Sequence, residues 1–289
     1  MKRVLRHLLA LLLIVLTLPA QAEFSFPDAF LTEGEPALCT ETSYRSQNLS
    51  IDITARRYDD SDVYVADIYV RDIASLQRGF AFGAWRSGTM EPVDIAKANN
   101  AVLAITGDYA HLFTSGWLMG NGQLLRRVRN NERDACLIYR NGEMRTIRAQ
   151  DMDDAWMAEE ADDLWQIFCF GPELLDAEGK ACTEFNTEVR SANPRSAIGY
   201  YEPGHYCFVQ VDGRGTHSAV TEGEYNIGLT LDQLSVFMET LGCQTAYNLD
   251  GGQSAMLWFD GRIISTPYMG GRPLGDIVLI REPSSAAMP

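Results

Sequence analysis

The sequence predicts an α+β protein: a single domain with a mixed, largely antiparallel twisted sheet and helices packed against it. Stretches such as LSIDITARRY and VYVADIYV alternate apolar and polar residues, which indicates half-buried strands. Asn-Gly and Asp-Gly pairs join several such stretches, and these pairs favour tight antiparallel hairpins. One amphipathic helix stands between two strands near the C-terminal end, so we expect a strand–helix–strand unit among the hairpins.

The first half of the chain carries most of the predicted hairpins. Strands begin at Leu49 and continue through two alternating stretches. EPVDIAKANN predicts a short helix, and AVLAITGDY after it predicts a buried strand. Asn-Gly pairs at Asn121 and Asn141 predict two further hairpin turns. The acidic stretch from Asp151 to Asp163 lacks the glycine that an EF-hand calcium loop needs, so we expect a solvated helix or loop.

The last third of the chain has the most regular pattern. HYCFVQVDG predicts a strand, and TLDQLSVFMETLG predicts an amphipathic helix with a capping box of Thr230 and Gln233 and a stop at Gly242. QTAYNL predicts the next strand. SAMLWF and RIIST predict a hairpin around Asp260 and Gly261, and DIVLIR closes the chain as a final strand.

Residues 1–22 predict a secretory signal peptide. A basic start, MKRVLR, precedes a short apolar run, and AQA supplies small residues for cleavage. The apolar run is too short for a comfortable membrane span. We therefore expect a protein that is secreted or held outside the cytoplasm, in the periplasm or cell envelope, with no stable membrane insertion after cleavage.

The charge of the chain restricts its partners. The 289 residues carry a formal net charge of −15, which excludes general binding to nucleic acid or to anionic membrane surfaces. An anionic substrate can still bind where arginines gather locally. The even number of cysteines, 6, favours disulfides in an oxidising compartment, and Cys169 and Cys182, which flank a turn, are the first candidates for a local pair.

The stretch AYNLDGGQSAMLWFDG places an acid and two glycines at the end of an apolar strand. Asn248 and Asp250 alternate with Leu249, so their side chains should leave the strand on the same side. Gly251 and Gly252 allow a sharp turn and a close approach of backbone. On spacing alone an ordinary Asp-Gly turn is the favoured explanation, so the motif by itself does not assign a function.

Other polar residues also stand at the ends of predicted strands. These residues are Asp108, Arg195, Asp212, Arg214, Arg272 and Asp276. Each is individually compatible with a turn or a solvated charge. Together they would supply carboxylates and guanidinium groups at strand ends, where rigid scaffolds commonly hold functional side chains.

Several of these stretches resemble the successive signatures of the phosphodiester glycosidase family. The resemblance lies in NPRSAIGYYEPGHYCFVQVDGRG, LGCQTAYNLDGGQSAMLWFDG and GGRPLGDIVLI, with VYVADIYVRD and AITGDYAHLF resembling the N-terminal signatures. It runs in order from Val63 to Ile280. It implies a catalytic domain at 63–289 after a peripheral segment at 23–62. It also implies hydrolysis of a sugar-1-phosphodiester to free sugar and a phosphomonoester, in cell-envelope or extracellular polysaccharide metabolism.

The resemblance also implies roles for the residues at the strand ends. Asp250 is the first candidate for the catalytic carboxylate, and Asp108 is the second. Arg195 and Arg272 would clamp the phosphate, because a guanidinium binds phosphate oxygens bidentately. The amides of the paired glycines would help to hold the anion. The further substrate-binding positions are Asn248, Gly251, Gly252, Ser254, Asp212 and Arg214. No cofactor is expected, although a structural calcium is left open.

The chain departs from the family pattern at a few positions. Thr106 stands where the family usually has Asn, and Gly120 stands where bacterial members often have Arg. Gln253 and Ala255 replace a common Gly and Ser. We expect Thr106 and Gly120 to lie where substrate is contacted, so that they bear on its identity and on catalytic competence.

Three alternative functions remain open from the sequence. A serine hydrolase would use Ser254 with a histidine as its base, although Met256 replaces the last glycine of the nucleophile motif. A metal-dependent phosphodiesterase would bind a hard cation through the four aspartates at the strand ends. A non-catalytic glycan-binding protein would stack sugars on tryptophans, which are Trp85, Trp117, Trp156, Trp165 and Trp258.

Overall fold

The structure is a computed structural model that describes residues 23–109, 111–129 and 132–283. The predicted signal peptide lies outside these residues. In the described ranges, no helix combines the length and apolarity that crossing a membrane requires.

Strands dominate the described chain. In chain order they are β1 Leu38–Cys39, β2 Ser43–Arg45, β3 Leu49–Tyr58, β4 Ser61–Val70, β5 Leu76–Phe80, β6 Leu103–Thr106, β7 Leu118–Gly120, β8 Gln123–Arg126, β9 Ala135–Tyr139, β10 Met144–Ile147, β11 Leu164–Phe168, β12 Arg195–Glu202, β13 His205–Val211, β14 Thr216–His217, β15 Tyr225–Asn226, β16 Thr245–Leu249, β17 Leu257–Phe259, β18 Arg262–Ile263 and β19 Asp276–Ile280. The α-helices are α1 Pro92–Ala98, α2 Asp154–Glu160 and α3 Leu231–Thr240.

The strands form several sheets. One seven-stranded sheet has the order β1-β2-β3-β4-β13-β12-β16, and two five-stranded sheets have the orders β10-β9-β11-β7-β8 and β18-β17-β6-β19-β5. β14 and β15 form a small ribbon. Every ladder between these strands is antiparallel. The α+β class and the largely antiparallel pairing are therefore confirmed, whereas the strands form several sheets and not the single mixed sheet that was expected.

The predicted strand–helix–strand unit is present, but its two strands do not pair with each other and so form no parallel ladder. The β14–β15 ribbon separates β13 from α3 in the chain, and β16 follows α3. In the sheet, β12 lies between β13 and β16 and pairs antiparallel with both. The helix begins as predicted, because Thr230 and Gln233 form the reciprocal capping box. Leu234, Phe237 and Met238 are fully buried against the sheet.

The N-terminal part is more central than expected. β3 pairs with β4 along its whole length, and Leu49 and Ile51 are fully buried in the main apolar core. The expected boundary after residue 62 falls inside β4. Residues 49–62 are therefore part of the sheet that carries the strand ends described below. Of the other predicted elements, α1 matches the expected short helix, and α2 occupies the acidic stretch.

The cysteines of the described chain are free thiols in this structure, so the expected pair of Cys169 and Cys182 is not formed in it. Cys169 is buried, and its Sγ accepts a hydrogen bond from Nη2 of Arg126 at 3.1 Å. Cys182 lies on another segment, where its backbone N–H donates to the carbonyl oxygen of Leu174.

Candidate active site

The register of the seven-stranded sheet brings several predicted residues to one edge. Ser196 at the start of β12 is paired with Leu249 at the end of β16, and Arg195 is paired with Val211 at the end of β13. The side chains of Arg195, Asp250 and Arg214 therefore emerge near one another. The backbone N–H of Asp250 also donates to the carbonyl of Gly107, directly after β6, at 3.1 Å. This bond joins the edge to the neighbouring five-stranded sheet.

A cavity of about 1010 Å³ opens at this junction. Seven of the ten predicted site residues line it, namely Asp250, Asn248, Gly251, Gly252, Arg195, Arg214 and Arg272. Asp108, Asp212 and Ser254 are not in its wall. The expected convergence of guanidinium groups around Asp250 is thus present, while the second predicted carboxylate lies elsewhere.

The carboxyl of Asp250 in the cavity wall is perturbed by its burial. Its side chain is largely buried, and burial raises the pKa of its carboxyl to about 6, against the opposing effects of Ser254 and Arg272. Oδ1 accepts a hydrogen bond from the N–H of Gly251 at 2.8 Å, and Oδ2 lies 3.2 Å from Nη2 of Arg272. Such a group is ionised near neutral pH and poised close to its titration point, as catalytic carboxylates commonly are.

The two glycines are required by sterics and not by anion binding. A Cβ on Gly251 would lie 2.6 Å from the carbonyl oxygen of Pro194, and Gly252 has φ of +61°. Their N–H groups already donate to Oδ1 of Asp250 and to the carbonyl of Pro194. The expectation that these amides hold a substrate anion is therefore wrong. They fix the direction of the Asp250 side chain instead.

Arg272 and Arg214 are the predicted arginines whose guanidinium groups remain available to the cavity. Nε of Arg272 donates to Oγ of Ser254 at 2.6 Å, and its guanidinium lies 4.7 Å from the ring centre of Tyr109. Arg214 is exposed and uses Nε and Nη2 on a single acceptor, Oδ1 of Asn193. Both therefore keep donors for an anionic group.

Arg195 lies in the same wall, but its guanidinium is bonded to the protein backbone. It is only 3% exposed. Nε, Nη1 and Nη2 donate to the backbone carbonyls of Leu229, Val189 and Ser191, respectively. Burial, together with the nearby Arg214, lowers the pKa of Arg195 to about 10. Because its donors are engaged by backbone, the role of phosphate clamp does not suit Arg195, which anchors the loop along one side of the cavity.

Asp108 is fully buried and forms an ion pair beneath the cavity. Its Oδ1 lies 2.6 Å from Nη2 of Arg78, whose guanidinium is also bonded to Asp276, and its Oδ2 accepts the N–H of Cys169 at 2.9 Å. Burial raises the pKa of Asp108, and Arg78 offsets this in part. Without exposure to the cavity, Asp108 cannot reach a substrate. It ties the end of β6 to the segment after β11.

The remaining predicted residues support the wall or point into it. Asp212 is buried, with its pKa raised to about 7 by that burial, and its Oδ2 accepts the N–H of Thr266. Ser254 is buried behind Arg272. Asn248 lines the cavity and donates through Nδ2 to the carbonyl of Gly171, while its buried Oδ1 has no hydrogen-bond partner in the described chain. A buried acceptor of this kind is suited to a ligand hydroxyl.

Two of the departures from the family pattern, Thr106 and Gly120, do not line the cavity. Oγ1 of Thr106 donates to the carbonyl of Ser254 at 2.5 Å and accepts the N–H of Met256, so it holds the turn after Asp250. Gly120 lies in β7 against the ring of Phe80. The expectation that these positions contact substrate is wrong. Gln253 is the departure that does line the cavity.

The sequence analysis missed several residues of the cavity wall. Tyr109, Arg133 and Asp134 all line it, with the guanidinium of Arg133 lying 3.8 Å from the ring centre of Phe113. Tyr109 directly follows the predicted Asp108 and has φ of 55°, a conformation that is uncommon for a residue with a side chain. The signal for the other two was a charged run, NERDA, just before β9.

A second cavity of about 330 Å³ lies beside the first. The two share Asp134, Phe185 and Asn186 in their walls. Nδ2 of Asn186 donates to the carbonyl of Glu132 at 2.7 Å, which links the two loops at the junction. Arg148, Gln150 and Glu173 give the second cavity polar donors and acceptors.

The geometry also bears on the alternative functions. The four aspartates proposed as metal ligands do not form one group, since Asp108 and Asp276 both pair with Arg78, Asp212 binds Thr266, and only Asp250 lines the cavity. No cluster of three or more His, Cys, Asp or Glu with metal-binding geometry occurs within the described ranges. Oγ of Ser254 contacts Arg272 and Asp250 and not a histidine among the described residues. Three of the tryptophans, Trp117, Trp165 and Trp258, are buried.

Comparisons with known proteins place the chain among related domains. Residues 99–281 match the family model described as phosphodiester glycosidase. The catalytic domain of zebrafish N-acetylglucosamine-1-phosphodiester alpha-N-acetylglucosaminidase, auto-inhibited by its pro-peptide, has a similar fold, with a TM-score of 0.61 and 19% identity over 81% of this chain and 83% of that one.

Two further relatives are more distant. A Burkholderia pseudomallei K96243 protein designated as exported has a TM-score of 0.50 at 12% identity, covering 77% of this chain and 74% of that one. The SPbeta prophage-derived protein YomE of Bacillus subtilis (strain 168) is 28% identical over 136 residues, which are 46% of this chain and 19% of that protein. The chain therefore matches only about a fifth of the length of this curated relative.

Proposed function

Because this chain belongs to the phosphodiester glycosidase family, we propose that it hydrolyses the glycosidic bond of a sugar-1-phosphodiester, releasing the sugar and a phosphomonoester. The observation that carries the proposal is the ion pair of Asp250 and Arg272 in the wall of a cavity to which Arg214 and Arg133 also contribute guanidinium groups. A carboxylate beside an anion-binding surface is the pairing that this reaction needs.

Asp250 and the arginines would act on different parts of the substrate. Cleavage of the bond between the anomeric carbon and the phosphate oxygen passes through an oxocarbenium-like state, which the Asp250 carboxylate stabilises or attacks. The departing phosphate is a good leaving group and needs little protonation. Arginines that hold its oxygens therefore contribute more than a general acid would. Arg214 and Arg272 take this role in place of Arg195.

The second carboxylate is assigned to Asp134 in place of Asp108. Of the further acids lining the cavity, Glu132 and Glu188 are exposed, whereas Asp134 is half-buried. Its backbone carbonyl accepts a hydrogen bond from the Tyr247 hydroxyl, which fixes it beside β16. Asp134 would orient or deprotonate the water that completes hydrolysis.

The second cavity extends the proposal to the size of the substrate. It shares Asp134, Phe185 and Asn186 with the first cavity, so a substrate that extends past these residues would meet its polar wall. We expect a glycan-bearing phosphodiester of the cell envelope or an extracellular polysaccharide. The predicted signal peptide and the likeness to a protein designated as exported support action outside the cytoplasm.

A substrate screen tests this proposal. Sugar-1-phosphodiesters that differ in the sugar and the second ester are incubated with the protein, and free sugar and phosphomonoester are measured separately. Equal release of both supports glycosidic cleavage. Release of a sugar-1-phosphate would show that a phosphate ester bond is cleaved, as expected for a phosphodiesterase. Binding without turnover, unchanged in Asp250→Ala, would favour a non-catalytic glycan-binding protein.

A further inference from the structure

A pair of cysteines meets inside the layer between α3 and the seven-stranded sheet. Sγ of Cys207 in β13 lies 3.7 Å from Sγ of Cys243, which stands between α3 and β16. Cys207 is fully buried and Cys243 is 3% exposed. This pair is remote from the cavity wall and has no part in the proposed hydrolysis.

The intervening strand makes room for the two sulfurs. Gly199 of β12 is paired with Cys207 on one side and with Ala246 on the other. A Cβ on Gly199 would lie 2.7 Å from each Sγ atom and 2.7 Å from Cε of Met238. The φ angle of Gly199 is not positive, so the backbone does not require glycine here. The space above Gly199 is therefore occupied by the sulfur pair.

We propose that Cys207 and Cys243 form a disulfide when the chain folds in an oxidising compartment. The two Sγ atoms are already in contact, and side-chain rotation within the space above Gly199 brings them to bonding distance. The other cysteines lack such a partner in the described chain, since Cys169 contacts Arg126 and Cys39 contacts Asp260. The bond would link β13 to the start of β16, the strand that leads to Asp250.

The oxidant is a small or protein disulfide that exchanges with the pair. The thiolate of Cys243 attacks the disulfide of this exchange partner and releases one thiol. The thiolate of Cys207 then attacks the mixed disulfide, forms the Cys207–Cys243 bond and releases the second thiol. Two cysteine thiols are oxidised, and one disulfide is reduced to two thiols, so atoms and electrons balance. The hydrogen bond between the two cysteines lowers the pKa of Cys243, which suits it to the first attack.

Peptide mapping tests the proposal on the full chain. The protein is refolded with glutathione disulfide and glutathione, alkylated, digested without reduction and analysed by mass spectrometry. We expect one linked peptide pair joining Cys207 to Cys243, and two fewer reactive thiols than in the reduced protein. Cys182→Ser, the matched control, should leave that linked pair unchanged. Free Cys207 and Cys243 in the refolded protein, or a link between either of them and another cysteine, would overturn the proposal.

A stability measurement gives a second readout. Closing the loop between Cys207 and Cys243 restricts the unfolded chain, so reduction should lower the midpoint of thermal unfolding by several degrees. Cys207→Ala/Cys243→Ala should show no such response to reductant. An unchanged midpoint in the wild-type protein after complete reduction, verified by thiol counting, would contradict a stabilising cross-link.

Discussion

Nη2 of Arg272 lies 3.2 Å from Oδ2 of Asp250, and this ion pair forms part of the cavity wall. Arg272 precedes β19, an inner strand of a five-stranded sheet, and Asp250 follows β16, the edge strand of the seven-stranded sheet, so the contact depends on how the two sheets join. The pair places a carboxylate and a guanidinium beside each other at a partly solvent-accessible surface. Its energetics lead to the first predictions.

Replacing the carboxylate should abolish activity without unfolding the protein. We expect Asp250→Asn to lower kcat by at least about a thousandfold, because the amide cannot stabilise positive charge at the anomeric carbon. The pKa of Asp250 is raised in the fold, so its ionised form is disfavoured there. Its favourable contribution to stability is present below pH 4 and is lost as pH rises through about 6.

The variant should therefore unfold at the same temperature as the wild type at pH 8, or a few degrees higher, as followed by circular dichroism. Turnover close to the wild-type rate in the folded variant would remove Asp250 from the mechanism.

The activity should depend on pH through Asp250. We expect kcat/KM to rise with pH, with a midpoint at about pH 6, because the Asp250 carboxylate must be ionised to act. A phosphodiester has no ionisation of its own in this range, so the rise belongs to the protein. Arg272 lowers the pKa of Asp250, and Arg272→Ala should move the midpoint to higher pH. A midpoint that stays in place in Arg272→Ala would assign the rise to another group.

Substitution of Arg214 and of Arg195 should have different effects, because we assign Arg214 to the substrate phosphate and Arg195 to a loop of the protein. Arg214→Ala should raise KM for a phosphodiester by about tenfold and leave an uncharged aryl glycoside of the same sugar nearly unaffected, because a charged hydrogen bond is lost. Arg195→Ala should impair both substrates and lower the thermal midpoint, because three backbone carbonyls lose their donors.

Arg45→Ala, an exposed arginine on β2, is the control that should change neither substrate. Equal losses on both substrates in Arg214→Ala would contradict its contact with phosphate.

Asp108 should behave as a structural residue. Asp108→Ala leaves the buried N–H of Cys169 without its acceptor while Arg78 keeps its ion pair with Asp276, so the variant should cost about 1–3 kcal/mol in the free energy of unfolding. Chemical denaturation monitored by fluorescence measures this cost. A variant that folds with wild-type stability but has no activity would restore Asp108 to the catalytic machinery and would refute the structural assignment.

Local sequence patterns predicted the helices and strands, whereas the surroundings of the site residues depend on which distant strands pair with each other. The capping box of α3 and the turn after Asp250 follow from spacings of a few residues, so the sequence was sufficient for them. The partner of Asp108 is Arg78 in β5, and it is brought there because β19 lies between β5 and β6. This strand pairing joins residues that are far apart in the chain, so no pattern of a few adjacent residues predicts it. For the same reason, the sequence alone could not show whether a carboxylate at a strand end would be buried or would line the cavity.

The second cavity should select for substrate length. Arg148→Ala should lower kcat/KM several-fold for a phosphodiester carrying an oligosaccharide and leave the shortest cleaved substrate unaffected, because only the longer molecule reaches that wall. Arg145→Ala is the matched control, since Arg145 is an exposed arginine of β10 paired with Glu143 and outside both cavities. Kinetics on a series of increasing chain length measure the effect. An equal loss at every length would place Arg148 in support of the loops and not in contact with substrate, and it would limit the bound molecule to the first cavity.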